Sequence, residues 1–299
     1  MRALVIGGSG QIGGWLLRVL PERGHEAVGT YAAVPYPGLV HLDAANLAEA
    51  ADLVRAQRPD VVFYPAGFTW VDGCEKDPDR AHAANVEQPL NVARAAADRG
   101  ARFVYFSTDY VFDGRNGPYD EHAPTHPLSE YGRSKVRAER ALADALGERL
   151  LTLRTAWVFG PERQGKNFAY QLVRTLSAGK PLGCPSDQHS NPSYGPDVAR
   201  AAVAIVEQGR SGIVHVAGPE VMGRVAFARG IATAFGLDPD LIFAKTSAEL
   251  GQTAPRPDQG GLLTPKLDAW LPHALRDLDA SLADFRRQLA NHDGWARQP

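Results

Sequence analysis

Seven residues, Gly7-Gly8-Ser9-Gly10-Gln11-Ile12-Gly13, constrain the fold more than any other stretch of this chain. They follow the apolar run Ala3-Leu4-Val5-Ile6 and lead into the helix-patterned segment IGGWLLRVLPERG. Gly7, Gly10 and Gly13 thus make a G-x-x-G-x-x-G turn between a strand and a helix. The first glycine permits the sharp turn, and the second lets the backbone approach a pyrophosphate. The third lets the helix pack close to the sheet. The helix start then offers unpaired N–H groups and a positive dipole end to phosphates. A glycine-rich turn also occurs without a ligand, so the dinucleotide reading leans on the βαβ context.

That context continues along the chain. Apolar runs at 3–7, 25–31, 39–43, 60–67, 101–109 and 149–160 read as strands. Segments 47–59, 78–99 (interrupted at Pro89) and 131–146 read as helices. Strands alternating with helices predict an α/β fold, a Rossmann-type doubly wound parallel sheet. The strands are nearly continuously apolar, as burial on both faces requires. Beyond 160 come helices at 167–179 and 195–209 and a strand at 212–218. We expect a dinucleotide-binding domain over 1–160, to which 195–218 returns. A smaller C-terminal substrate-binding lobe is expected over 161–194 and 219–299.

Composition excludes several classes. Of 299 residues 44% are hydrophobic, enough for a real core, and the net charge of −2 is spread without a basic tail. Nucleic acid is not an expected partner. No apolar run reaches membrane-spanning length, and no basic leader precedes an apolar core, so a cytoplasmic location is expected. Two distant cysteines, Cys74 and Cys184, permit one disulfide at most and lack the spacing of a zinc site.

The second strand ends Gly29-Thr30-Tyr31, without the carboxylate that would clamp an adenosine ribose. Nothing there repels a 2′-phosphate, which favours NADP over NAD, although no arginine is close in sequence to hold that phosphate. Asp43 is placed either to accept from the adenine amino group or to cap the helix that follows. Tyr131 and Lys135 lie four apart, on one helix face. A nearby ammonium is expected to stabilise the phenolate and lower the tyrosine's pKa, giving an acid able to protonate a reduced carbonyl. Thr108, ending a strand, would hydrogen-bond the same carbonyl oxygen.

With these residues in view, the sequence resembles an extended short-chain dehydrogenase/reductase, and more narrowly the dTDP-4-dehydrorhamnose reductase group. The resemblance is carried by GGSGQIG, VDGCE (71–75), Asn85, STDYVFDG (107–114), YGRSK (131–135), RTAWVFG (154–160), NF (167–168), NPSY (191–194) and PRP (255–257). It implies reduction of a 4-keto group on a nucleotide-linked 6-deoxysugar, with hydride from NAD(P)H. On that resemblance Tyr131 gives the proton, Lys135 holds the ribose and tunes Tyr131, and Thr108 polarises the carbonyl. Gly7, Gly10, Gln11, Ile12, Gly13, Ala66, Gly67 and Ser107 would line the cofactor. Asp109, Tyr110, Trp157, Asn167, Phe168 and Arg256 would face the sugar nucleotide, unless Trp157 and Phe168 are core aromatics.

Departures and rivals shape the expectation. Dehydratases of the superfamily read Thr-Asp-Glu where this chain has Thr108-Asp109-Tyr110, so one carboxylate of their acid–base pair is missing. A glutamate on the first helix supports a metal-bridged dimer in some relatives, and Trp15 stands at that position here. No structural metal is expected, and a homodimer is left open. GPERQGKN (160–167) fits the phosphate-loop pattern G-x-x-x-x-G-K but lacks the following Ser or Thr. The main rival is a non-catalytic NADP-binding subunit, resembling the regulatory β subunit of methionine adenosyltransferase.

Overall fold

The computed structural model describes residues 1–290; residues 291–299, the end of the expected substrate lobe, lie outside the described residues. The chain runs through β1 (Arg2–Val5), α1 (Gln11–Glu22), β2 (Glu26–Tyr31), β3 (Leu39–His41), α2 (Leu47–Gln57), β4 (Val61–Tyr64), α3 (Val71–Lys76) and α4 (Pro78–His82). It continues through α5 (Gln88–Ala97), β5 (Arg102–Thr108), α6 (Glu130–Leu146), β6 (Leu150–Thr155), β7 (Val158–Phe159), α7 (Phe168–Ser177), β8 (Leu182–Pro185), β9 (His189–Ser190) and β10 (Ser193–Tyr194). The remainder is α8 (Gly195–Glu207), β11 (Gly212–His215), β12 (Met222–Gly223), α9 (Arg224–Phe235), β13 (Ile242–Lys245), α10 (Pro265–Trp270) and α11 (Leu278–Ala290).

Seven strands form one sheet in the order β11-β6-β5-β4-β1-β2-β3, with every neighbouring pair parallel. This is the doubly wound arrangement expected from the alternation of strands and helices. The order reverses between β1 and β4, where ligands of such sheets bind at the carboxyl edge. Side chains alternate between two cores. Val61, Phe63, Val104, Phe106, Leu151 and Leu153 pack against Trp15, Leu16, Val19 and Leu20 of α1 and the apolar face of α8. Val62, Tyr64, Phe103, Tyr105 and Leu150 face α2, α5 and α6 on the other side. Each such side chain contributes roughly 1.5–3 kcal/mol on burial.

A third core, built on Leu172, Cys184, Phe227, Ile231, Leu282 and Phe285, joins α7, α9, α11 and the parallel pair β8–β13. Both cysteines are buried and free. No helix among the described residues is long and apolar enough to cross a membrane.

Local departures from the sequence reading have physical causes. The strand expected over 149–160 breaks at Trp157, which takes a positive φ of 37°. Beyond the break β7 leaves the main sheet and pairs with β10, Val158 opposite Ser193. The helix expected over 78–99 widens into a π-turn at Ala83–Glu87. Pro89 has no N–H to give the carbonyl of Asn85 four residues back. The Tyr105 hydroxyl takes that carbonyl instead, at 3.1 Å. Asp43 does not cap α2, because Asn46 does, accepting from the N–H groups of Ala48 and Glu49.

Candidate active site

The glycine turn sits at the carboxyl end of β1, beside the end of β4. Gly7 has φ +91°, and a Cβ there would meet the Cβ of Ala66 at 2.9 Å. A Cβ on Gly13 would lie 2.1 Å from the Gly7 carbonyl oxygen, so only glycine lets α1 pack this closely on the turn. Gly10 starts α1 with no side-chain cap and no acidic residue in the first turn. The first N–H groups of the helix are therefore open to an anion. Gln11 and Ile12 lead the helix half-buried, and the Gln11 Nε2 has a buried position without a hydrogen-bond partner. Thr30 at the end of β2 accepts from the Gly7 N–H at 3.1 Å. Ala66 and Gly67 follow β4, with Gly67 against the Asn85 carboxamide. Asp43 lies exposed beyond the outermost strand, its Oδ1 accepting from the Ala45 N–H.

β5 delivers Ser107 and Thr108 to the same edge. The Ser107 hydroxyl is buried without a partner, as is that of Thr155 at the end of β6. The register sets Thr108 opposite Thr155. The Thr108 hydroxyl donates to Asp109 Oδ1 at 3.1 Å, accepts from the Tyr110 N–H at 3.2 Å and reaches the Tyr131 phenol. The other Asp109 oxygen accepts from Ser190 at 2.6 Å. Burial pushes the Asp109 carboxyl up, against those two hydrogen bonds.

α6 presents Tyr131 because Gly132, the third residue beyond the Ser129 cap, fits tightly against the 109–111 turn. A Cβ on Gly132 would lie 2.2 Å from the Tyr110 carbonyl oxygen. The Tyr110 and Tyr131 rings meet edge to face at 5.7 Å. Lys135, one turn on, is buried, with its Nζ donating to the Phe106 carbonyl at 2.6 Å and resting 4.1 Å from the Tyr105 ring centre. Here the sequence expectation needs correction. Burial pushes the Tyr131 phenol above its ordinary range, against the hydrogen bond with Thr108, and Asp109 adds to the rise. Burial instead pushes the Lys135 ammonium down, to about 7.

The short helix α3 ties the site together. Glu75 accepts from the Glu130 N–H at the start of α6 at 2.8 Å and pairs with Arg133 at 3.3 Å. Asp72 accepts both arms of the Arg256 guanidinium, at 3.2 and 2.6 Å. Arg256, expected to face substrate, is thus also bound to the protein, and its charge acts on the Tyr110 phenol. Asn85 donates to Ser134, whose hydroxyl donates to the Tyr131 carbonyl at 2.7 Å.

The family model described as RmlD substrate binding domain matches residues 1–291. The chain belongs to this family. It is 32% identical over 299 residues to the probable low-salt glycan biosynthesis reductase Agl14 of Haloferax volcanii, covering 98% of this chain and 99% of that protein. It is 33% identical over 268 residues to dTDP-4-dehydrorhamnose reductase of Mycobacterium tuberculosis, covering 87% and 84% of the two chains. The solved structure of dTDP-4-dehydrorhamnose reductase from Bacillus anthracis in complex with NADP superposes with a TM-score of 0.88 at 25% identity, covering 96% of this chain and 99% of that one.

Within this member of the RmlD family the remaining expected residues separate. Thr108, Asp109, Tyr110, Tyr131 and Arg256 lie together. Trp157 and Phe168 lie half-buried against the third core, close to Phe227. Asn167 stands apart: its carboxamide caps α7 and donates to the Gly160 carbonyl and to Glu162.

The phosphate-loop look of 160–167 also resolves. Glu162 Oε1 accepts from the N–H groups of Lys166 and Asn167, filling with a carboxylate the cradle a phosphate would need. The loop reaches the glycine turn instead. Gln164 donates to the Ser9 carbonyl at 2.8 Å, and Trp15 donates to that of Pro161 at 2.8 Å. Arg163 rests over the Tyr36 ring at 4.7 Å, beyond the end of β2. Sequence reasoning missed Arg163, Thr155, Ser190 and Arg224. Only the run GPERQGKN signalled that Arg163 sits in an unusual loop. Among the described residues, no group of three or more His, Cys, Asp or Glu side chains is placed to hold a metal.

Proposed function

We propose that this protein reduces the 4-keto group of a nucleotide-linked 6-deoxysugar with a nicotinamide cofactor, NADPH in preference to NADH. The observation that carries the reading is the buried contact of Thr108 with the Tyr131 phenol, at the sheet edge beside an uncapped helix start. The surroundings fit the cofactor. Gln11 Nε2, Ser107 Oγ and Thr155 Oγ1 are buried without partners, and Gly13 lets the uncapped start of α1 pack close on the turn. Gly7, Gly10, Gln11, Ile12 and Gly13 would hold the diphosphate, with Asp43 at the adenine. Ala66, Gly67, Ser107, Tyr131 and Lys135 would line the nicotinamide half. When bound, the cofactor supplies hydride to the keto carbon.

The chain's residues handle the oxygen and its proton. Thr108 turns its hydroxyl from Asp109 to the ketone oxygen and holds it against Tyr131. Burial keeps the phenol protonated at neutral pH. A nascent alkoxide is far more basic than even a buried phenolate, so the proton passes from Tyr131 Oη to the oxygen that was the ketone. Lys135 orients the ribose and restores charge balance next to the phenolate that remains. Asp109 is held by Ser190, and with Tyr110, Trp157, Phe168 and Arg256 it borders the sugar-nucleotide side, whereas Asn167 caps α7 instead.

Preference for NADPH rests on two features of the adenosine end. β2 ends without a carboxylate, and Arg163 brings a cation over Tyr36. In this reading 1–160 and 195–218 hold the cofactor, while 161–194 and 219–299 take the sugar nucleotide. The same reading puts the enzyme in the cytoplasm and allows a homodimer, which sedimentation of the purified chain decides. The direct test is loss of NADPH absorbance on adding a dTDP-4-keto-6-deoxysugar. No turnover, with tight co-purification of another enzyme, would instead support a regulatory subunit.

A further inference from the structure

Arg224 is the first residue of α9 and is half-buried. Its guanidinium carbon stands 3.5 Å from the centre of the Trp157 ring and 4.8 Å from that of Phe168. Aromatic rings cover the faces of a guanidinium and leave its N–H donors free at the edge. Among the described residues those donors have no hydrogen-bond acceptor and no ion pair. The neighbouring charges are already engaged. Asp72 neutralises Arg256, and both oxygens of Asp109 accept hydrogen bonds, from Thr108 and Ser190. Burial lowers the Arg224 pKa only to about 10, so the group is a cation at neutral pH. A half-buried cation flanked by rings and without a partner is completed by a ligand anion.

We propose that Arg224, stacked on Trp157 and Phe168, binds the diphosphate of the sugar nucleotide. The proposal rests on the sugar-nucleotide reading above and deepens it by naming the anion's anchor. A diphosphate matches the guanidinium in charge and offers paired oxygens to its fork. Asp109 and Tyr110 both feel the Arg224 charge and follow Thr108 directly in sequence. An anion on Arg224 therefore lies next to the residues that would meet the sugar. Trp157 owes its position to the left-handed backbone that ends β6, so the break in that strand is what builds the stack.

The test compares dTDP with thymidine, by calorimetry, on the wild type, Arg224→Gln and Arg224→Lys. The wild type should bind dTDP the more tightly. Arg224→Gln should lose about 10- to 100-fold in dTDP affinity, the worth of charge-assisted hydrogen bonds, with NADPH and thymidine affinities unchanged. Arg224→Lys should lose less, keeping charge but not the fork. Arg224→Gln binding dTDP within twofold of the wild type would overturn the proposal and leave the reductase reading intact. A wild type that binds dTDP no better than thymidine would overturn both the sugar-nucleotide reading and the proposal. Labelling of the unaltered protein with an arginine-selective dicarbonyl avoids any folding defect. There dTDP, and not thymidine, should shield Arg224, and absence of shielding would equally refute its role.

Discussion

Replacing Lys135 by methionine should stabilise the fold while abolishing turnover, and the gain should fade as pH rises. Lys135 is 3% exposed, and its ammonium titrates at about 7 in the folded chain against an ordinary 10.5. Below the folded value both states carry the proton, and the folded state bears the whole desolvation cost, roughly 5 kcal/mol at about pH 6. Between the two values the unfolded chain binds more protons, so stability rises with pH. At about pH 9 roughly 2 kcal/mol of the cost remains, a swing of roughly 3 kcal/mol from this one group. Methionine removes the charge but leaves the Phe106 carbonyl unpaired, which costs about 1–3 kcal/mol. The variant should therefore be roughly 2–4 kcal/mol more stable than the wild type at the lower pH and about equal to it at the higher. Urea unfolding of both proteins at the two pH values measures this, since titrating groups away from Lys135 cancel in the difference. A stability difference that stays constant across that range would refute the burial of a strained ammonium beside Tyr131.

Three further outcomes are expected. Tyr131→Phe should cut turnover by about 10²- to 10⁴-fold while leaving NADPH affinity nearly unchanged, as measured by steady-state kinetics and cofactor titration. Arg163→Gln should raise KM for NADPH about tenfold and leave that for NADH alone, the loss of one charge-assisted contact; an unchanged ratio of the two would remove Arg163 from cofactor choice. Asp72→Asn should cost roughly 2 kcal/mol at neutral pH, because Arg256 holds the Asp72 carboxyl down to about 2 from an ordinary 3.8. That contribution is present above the ordinary value and vanishes as pH falls through about 2, so wild type and variant should unfold alike in strong acid.

The fold was legible because its signals are local. A strand, a glycine turn and a helix in sequence are enough to predict a parallel sheet, and the strand runs predicted which segments would be buried on both faces. The site was less legible, for physical reasons that differ by residue. Arg224 has no signal of its own, since its stack depends on Trp157 turning into a left-handed conformation that no neighbouring glycine or proline announces. Arg163 is far in sequence from β2 and meets Tyr36 only because Gln164 and Pro161 are moored to the start of α1. The spacing of Tyr131 and Lys135 predicted a shared helix face but not their electrostatics. Dehydration outweighs attraction at full burial, and that depends on what α6 packs against.

The acidic pair on α3 has a consequence for how this protein can change. Asp72 anchors the arm that carries Arg256, and Glu75, one turn away, anchors the first turn of the helix that carries Tyr131. Six residues therefore yoke the wall of the sugar side to the proton donor. A substitution that reshapes one end to admit a different sugar pulls on the other, so new specificity in this scaffold has to be accompanied by a re-seated phenol.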